Sequence, residues 1–461
     1  MFTLMIIAFI AGYAAIALEN KLRINKSAIA LITGMLLWTL YAIGGIDILS
    51  SGVSEAWNTF LASNPDSNSN YGMMHFITHN QIYEHLTDIA SILFFLIGAM
   101  TIVEIIDRHQ GLKILTDKIT TRNKAKLLWI LCFLTFFLSA LLDNLTTTIV
   151  MIAVIRKLMT DKTNRWVFTS MVIIAANSGG AWSPVGDVTT IMLWIGGQVT
   201  TMPLLAEVLI PSLVTLIIPL LIITPRIKKT GVIRPFSTEM EQMEFSYKER
   251  LLILIAGLSC LIFVPIFKTF THLPPYVGML LALGVLWIIT DIIHKKKDDE
   301  IKRQYDASRI IRKIDTSTIL YFLGILTAVS ALQSAGQLAL MSHFFDEHLG
   351  NVYMIDLAIG LLSSTIDNSA LVAGAMGMYP LEPVNATGYA ANFIQDGTFW
   401  SFLAYCAGTG GNILIIGSAA GVAAMGLEKI SFVWYMKNFS RMAITGYIGG
   451  AITYYLIHVI F

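Results

Sequence analysis

Two Asp-Asn pairs lie in the middle of apolar stretches. Asp143-Asn144 follows Ser139-Ala140-Leu141-Leu142, and Asp367-Asn368 follows Ser363-Ser364-Thr365-Ile366, 224 residues further on. A charged carboxylate at membrane depth costs at least about 2.5 kcal/mol, so such an acid is retained for what it binds. Carboxylate, amide, hydroxyl and carbonyl oxygens together suit a small hard cation. Burial and a neighbouring acid favour the protonated carboxyl, whereas a bound cation favours the ionised one. Acids of this kind can therefore hold either a proton or a cation, and the competition alone produces exchange.

Two glycine-broken runs supply more ligands. The first is Asn177-Ser178-Gly179-Gly180-Ala181-Trp182-Ser183-Pro184-Val185-Gly186-Asp187; the second is Thr409-Gly410-Gly411-Asn412-Ile413-Leu414-Ile415-Ile416-Gly417-Ser418. Both read Ser or Thr, Gly-Gly, five residues, Gly. Unwound backbone at membrane depth persists only where it is buried in protein or lines a polar cavity. The cation and proton ligands expected from these segments are Asp143, Asn144, Thr147, Asn177, Ser178, Asp187, Thr189, Thr190, Asp367 and Asn368, with Asp143, Asp187 and Asp367 carrying the charge for Na⁺. Ser139, Ser363, Thr409, Asn412, Ser418 and Glu104 are secondary candidates. No Lys or Arg stands at these positions, whereas an anion site would call for a cationic side chain or a neutral tip exposing helix N-termini.

Blander roles exist for each. Either Asp-Asn pair can cap the helix that follows, although Ser or Asn alone would cap at lower cost. Asp187 can cap a helix Val188–Ile195, and the Gly-Gly pairs can serve close helix packing. Asn177 can simply break its helix. Glu104 is spaced to pair with Arg108 at i,i+4. His75, His79 and His85 lie in or near an external loop; they could sense pH or be ordinary surface residues.

The elements that must position these residues are membrane helices. The 461 residues are 55% hydrophobic and 13% charged, with a net charge of +1 that offers nothing to a nucleic acid. Runs such as 2–18, 27–43, 204–224 and 251–267 approach the roughly 20 residues a bilayer requires. The first run has no basic stretch before it and no small-residue cleavage site, so it reads as a helix rather than a signal peptide. Cys132, Cys260 and Cys406 lie in apolar segments without disulfide or metal spacing.

Lys and Arg mark cytoplasmic loops. They are absent between Lys26 and Arg108 and between Lys313 and Lys429, and they cluster at 21–26, 108–126, 156–165, 226–250, 295–313 and 429–441. Loop 50–81, Thr271–Pro275 and most of 333–396 then face outside, with Trp57, Tyr71 and Tyr83 at the outer interface and Lys268 near an external helix end. The first helices are expected at about 2–18, 27–45 and 87–107. The Asp143 segment, 126–158, has basic residues on both flanks and should be a re-entrant hairpin from the cytoplasm. The Asp367 segment, 352–380, has none and should enter from outside. With broken helices at 165–197 and 389–426, the chain reads as an all-α polytopic membrane protein of about ten spanning helices. Phe95-Leu96-Ile97-Gly98-Ala99-Met100-Thr101 also matches Phe322-Leu323-Gly324-Ile325-Leu326-Thr327 with one deletion. The ordered matches suggest an inverted repeat, 1–225 and 251–461, joined by a cytoplasmic linker at 226–250.

The runs Asp143-Asn144-Leu145-Thr146-Thr147, Asn177–Thr190 and Thr365-Ile366-Asp367-Asn368 resemble those of NhaD-type sodium/proton antiporters, within the wider ion transporter superfamily. The resemblance implies exchange of cytoplasmic Na⁺ or Li⁺ for external H⁺, a part in pH homeostasis, no bound cofactor, and a homodimer. With no recognisable transit peptide a bacterial-type inner membrane is expected rather than an organelle, and threading the helices through the sides set by Lys and Arg puts both termini outside. Ser418 stands where Asp187 would recur and Ala420-Gly421 replace Thr189-Thr190, so the ion site need not be symmetric.

The nearest alternative is a sodium-coupled carboxylate or other anion symporter of the same superfamily, whose tips are neutral and Ser-Asn-Thr-like. An intramembrane aspartyl protease also needs two buried acids, but its Tyr-Asp and Gly-x-Gly-Asp signatures are not met at these acids. The flank charges make a direct prediction. Cysteines replacing Lys126 and Arg156 should both label from the cytoplasm, and cysteines replacing Asn351 and Glu382 both from outside; opposite-side labelling of either pair would turn that hairpin into a spanning helix.

Overall fold

A bilayer leaves no water for unpaired backbone groups, so an apolar chain of this length satisfies them within helices. The computed structural model is accordingly all-helical, and it describes every residue except 18, 51–53, 115–118, 120, 122, 228–244, 296, 298–304 and 461. The linker expected at 226–250 thus lies largely outside the described residues. Seven described helices are long and apolar enough to cross a membrane, and the chain is a multi-pass membrane protein.

The helices used below are α1 (Phe2–Ala17), α2 (Lys26–Ser50), α3 (Ile82–Arg108), α4 (Lys124–Leu142), α5 (Asn144–Leu158), α6 (Lys162–Gly180), α7 (Val188–Ile195), α8 (Thr201–Ile223), α9 (Tyr247–Thr271), α10 (Pro275–His294), α11 (Thr316–Ser334), α12 (Gln337–Leu349), α13 (Val352–Leu362), α14 (Asn368–Met378), α15 (Thr398–Gly410), α16 (Ala419–Glu428) and α17 (Ser440–Ile460). Helix is broken where the sequence predicts it: between α4 and α5 at Asp143 alone, between α6 and α7 at 181–187, and between α15 and α16 at 411–418.

Contacts divide the described residues into two compact units. The smaller comprises Met1–Leu96, Asp315–Asn351 and Val372–Leu381. In it α2 packs along α11. Polar pins hold this pair at several depths: Ser27 Oγ donates to the Ser317 carbonyl at 2.6 Å, Trp38 Nε1 to the Thr327 carbonyl at 3.0 Å, and Tyr41 OH to the Ser334 carbonyl at 3.2 Å. The expected loop 50–81 is corrected here. It contains helical segments at Glu55–Ser63 and Asn70–His75, followed by a π-helical stretch. Trp57 is only 2% exposed, packed on Phe60 and Phe76 rather than lying at an interface, because the short helices fold its apolar face inward. Tyr71 and Tyr83 are exposed. His85 is a half-buried residue of α3 whose Nε2 lies 2.9 Å from Ser334 Oγ. His75 and His79 stack with ring centroids 4.6 Å apart.

The larger unit comprises Ile97–Ile314, Val352–Leu371 and Glu382–Phe461. Within it α4 and α5 pack on α6, α13 packs on α15, and α8 packs on α17. Backbones approach closely at two places. A Cβ at Gly179 would overlap the carbonyl of Phe136, and one at Gly410 would overlap the carbonyl of Gly360. Beside each contact a serine adds a bond: Ser139 Oγ donates to the Ala176 carbonyl at 2.6 Å, and Ser363 Oγ to the Ala407 carbonyl at 2.8 Å. At the basic end of α5, Arg156 and Arg165 both reach the buried carboxylate of Glu428, at 2.5 and 3.0 Å. Lys268, in the last turn of α9, donates to the Trp194 carbonyl at 2.5 Å.

Overpacking a tight contact costs about 1–3 kcal/mol. Gly410→Ala should therefore lower the thermal unfolding midpoint in detergent, while Gly426→Ala, where an added Cβ meets nothing within 4 Å, should leave it unchanged or raise it. Equal melting of the two variants would deny the close approach.

Candidate functional site

The site is assembled from helix ends, where backbone groups and short polar side chains need one another. Asp143 ends α4 and caps α5: Oδ1 accepts from the Thr146 amide at 2.9 Å and Oδ2 from Thr146 Oγ1 at 2.8 Å. Its backbone lies at φ 70°, ψ 159°, a region open to glycine and costing other residues about 1–3 kcal/mol. Asp367 precedes α14 and accepts from the Ser369 amide at 3.1 Å. Asp187 caps α7 through the Thr189 amide at 3.1 Å, and Ser418 caps α16 through the Gly421 amide at 3.1 Å. The expected capping is thus present at Asp143, Asp367 and Asp187, and other polar atoms of these segments take no part in it.

Those atoms meet at Asp187. The carboxylate is 2% exposed, and its Oδ2 accepts from Asn144 Nδ2 at 2.6 Å and from Asn368 Nδ2 at 3.2 Å. The second residue of each Asp-Asn pair therefore contacts the same oxygen. Asn177 extends the network. Its Oδ1 accepts from Asn144 Nδ2 at 3.2 Å, and its Nδ2 donates to Asn412 Oδ1 at 2.9 Å and to Ser418 Oγ at 2.8 Å. Asp143 and Asp367 stand close enough for their charges to act on Asp187. Thr190 Oγ1 bonds the Asp187 carbonyl at 2.9 Å. Thr147 Oγ1, Ser178 Oγ and Asn412 Nδ2 are buried without a hydrogen-bond partner. Buried polar atoms are normally paired; these are two hydroxyl oxygens and one amide nitrogen.

Of the primary candidates, Asn144, Asn177, Asp187 and Asn368 thus share one hydrogen-bond network, while the secondary ones divide. Asn412 and Ser418 join the network directly. Ser139 and Ser363 instead staple helices, and Thr409 Oγ1 bonds the Tyr405 carbonyl of its own helix at 2.7 Å. Glu104 makes the expected pair with Arg108, Nε to Oε1 at 2.7 Å, and shares no hydrogen bond with the cluster. Two contributors escaped sequence reasoning. Ser369 Oγ donates to Asn368 Oδ1 at 3.3 Å, and the buried Tyr435 OH donates to the Asn412 carbonyl at 2.8 Å. Ser369 directly follows an Asp-Asn pair and was within reach of the motif; Tyr435 lies in a separate segment with no motif of its own.

A model of the citrate transporter family matches residues 13–395. Sodium/proton antiporter 1 of Arabidopsis thaliana is 42% identical, covering 98% of this chain and 72% of that protein. Sodium/proton antiporter 2 of the same plant is 40% identical over 98% of the chain and 99% of the relative. The Na⁺/H⁺ antiporter NhaD of Vibrio cholerae is 26% identical over 98% and 91%. The chain belongs to the NhaD-type sodium/proton antiporter family.

This is a transporter family and not an enzyme family, which removes the protease alternative. The broader family model carries the name of an anion, citrate, while these relatives are named for cations. In this member the cluster holds three carboxylates, and its described hydrogen-bonding residues include no Lys or Arg. The two short capped helices provide a test. Asp187→Asn removes charge from the network, whereas Ser418→Ala removes one neutral partner, worth about 0.5–1.5 kcal/mol. In vesicles Asp187→Asn should abolish cation-driven proton movement and Ser418→Ala should reduce it moderately; equal, mild effects would make Asp187 a cap and nothing more.

Proposed function

We propose that the protein exchanges cytoplasmic Na⁺ or Li⁺ for external H⁺ by alternating access, with cation and proton competing for Asp187 and the two tip acids, Asp143 and Asp367. The observation that carries this reading is the convergence of Asn144 and Asn368 on one Asp187 oxygen. Two amide N–H groups solvate the carboxylate when no cation is there. When Na⁺ arrives, the same amides need only turn to offer their Oδ1 atoms, and the buried, unpartnered Thr147 and Ser178 hydroxyls are further oxygens for it. The names of the plant and bacterial relatives support the same cargo. The carboxylate or anion symporter is disfavoured by charge, since three acids with no cationic side chain among them repel an anion.

The architecture belongs to the same proposal. α4–α5 and α13–α14 are read as opposed re-entrant hairpins, and α6–α7 and α15–α16 as broken spanning helices of an inverted repeat. Matched contacts support it. Ser139–Ala176 and Ser363–Ala407 are equivalent bonds, Gly179–Phe136 and Gly410–Gly360 equivalent close approaches, and Asp187 and Ser418 equivalent caps. Gly98 packing on Met279 matches Gly324 packing on Ala30. Counting α1, α2, α3, α6–α7, α8, α9, α10, α11, α15–α16 and α17 gives ten crossings, an even number that keeps both termini on one side, read here from the basic loops as the outside of a bacterial-type inner membrane. We carry the homodimer as part of the reading.

If more than one proton enters per Na⁺, the membrane potential adds about 2.3 kcal/mol per net charge per 100 mV. Inside-out vesicles with a proton gradient should show dequenching of a pH dye on adding Na⁺ or Li⁺, and none with K⁺, citrate or succinate. Raising the pH strips protons from the carboxylates and frees them for Na⁺. Apparent Na⁺ affinity should therefore improve with pH, by up to about tenfold per unit for each proton displaced, then level off once the acids are ionised. Asp143→Asn or Asp367→Asn should fold normally and lose the exchange. Normal exchange in folded Asn variants, or a pH-independent affinity, would rule the tip acids out.

A further inference from the structure

Asp356 stands in α13 within Val352-Tyr353-Met354-Ile355-Asp356-Leu357, a run with no recognisable motif. It is 0% exposed, and neither carboxylate oxygen has a hydrogen-bond partner. It shares no bond with the Asp187 cluster, and among the described residues no group of His, Cys, Asp and Glu around it could hold a metal ion. An unpaired ionised carboxylate in an apolar interior is far costlier than a neutral acid. The ligand such a group can keep is a proton.

Its neighbours are weak acids and proton donors. Cys406 of α15, Tyr447 and Tyr454 of α17, and Tyr353 of its own helix all lie within electrostatic reach. None is basic. The hydroxyls are engaged elsewhere: Tyr447 OH donates to the Leu357 carbonyl at 3.2 Å, and Tyr454 OH to the Thr398 carbonyl at 3.3 Å and Glu207 Oε2 at 3.4 Å. Turning from those acceptors, they can solvate Asp356 while it is briefly ionised. Beyond Tyr454 the line reaches half-buried groups, with His458 Nε2 3.5 Å from the same Glu207 oxygen. In the other direction, Asp356 lies six residues before the end of α13, about 9 Å along the axis, and Asp367 follows the turn.

We propose that Asp356 is a second proton-holding site, separate from the cation cluster, that relays protons between the Glu207–His458 side and that cluster. The proposal rests on the antiport reading. Asp356 gives its proton to an ionised carboxylate of the cluster and is reprotonated by way of Tyr454; one proton moves and no other bond changes. The first half has no such group, because at the same 224-residue offset stands Cys132. The relay then serves one hairpin, the one read as opening to the outside where protons enter.

Wild-type, Asp356→Asn and Asp356→Leu proteins in liposomes test this with two assays. Exchange of radioactive Na⁺ for Na⁺ needs the cluster but no proton; Na⁺-driven proton movement needs both. Both variants should keep Na⁺/Na⁺ exchange at the wild-type rate and lose proton movement by roughly a hundredfold. Infrared difference spectra after a pH jump without Na⁺ should contain a protonated-carboxyl band that Asp356→Asn lacks and Asp187→Asn keeps. Normal proton movement in the variants, equal losses in both assays, or a band unchanged in Asp356→Asn overturns the relay. A wild-type protein with no Na⁺-driven proton movement would overturn the antiport reading instead, and the infrared band would still decide Asp356.

Discussion

A carboxylate can stay inside a membrane protein only if the protein replaces its water. At Asp187 that replacement is two side-chain amides and a backbone amide, from Asn144, Asn368 and Thr189. The rest of the larger unit follows from this need. Asn144 and Asn368 reach the carboxylate because each sits at the first turn of a helix. Those helix starts are available at depth because α4 stops at Leu142 and α13 at Leu362. Asp187 in turn is presented by an interrupted helix, which is tolerable because the break is buried and capped.

The same economy explains the packing. Gly179 and Gly410 let backbones touch, which brings the helix ends within side-chain reach of one another. Serines 139 and 363 fix the register at the point of contact. Matching devices recur up to Asp187 and Ser418, which cap α7 and α16 alike and differ in charge.

Local rules made much of this legible. Gly-Gly and Pro184 mark the break after α6, and Asp187 as the cap of Val188–Ile195 follows from ordinary capping chemistry. The i,i+4 pair of Glu104 and Arg108 follows from helical spacing. What escaped depends on folding in three dimensions. Trp57 reads as an interfacial aromatic, yet short helices in 55–75 wrap it against Phe60 and Phe76. Asn412 has no acid beside it in sequence and reads there only as a secondary candidate; its meeting with Asn177, 235 residues away, brings it into the network. Asp356 carries no motif at all; its burial without a partner is visible only in space.

The backbone of Asp143 has a consequence for how this protein can evolve. At φ 70°, ψ 159° glycine would relax about 1–3 kcal/mol of strain, and giving up a capping side chain for glycine costs only a few tenths of a kcal/mol. Selection for heat tolerance alone would therefore pull position 143 toward glycine. That drift would yield a sturdier molecule with one acid fewer at its centre. Durability and a buried carboxylate are opposed at this residue, and the aspartate there records which of them prevailed.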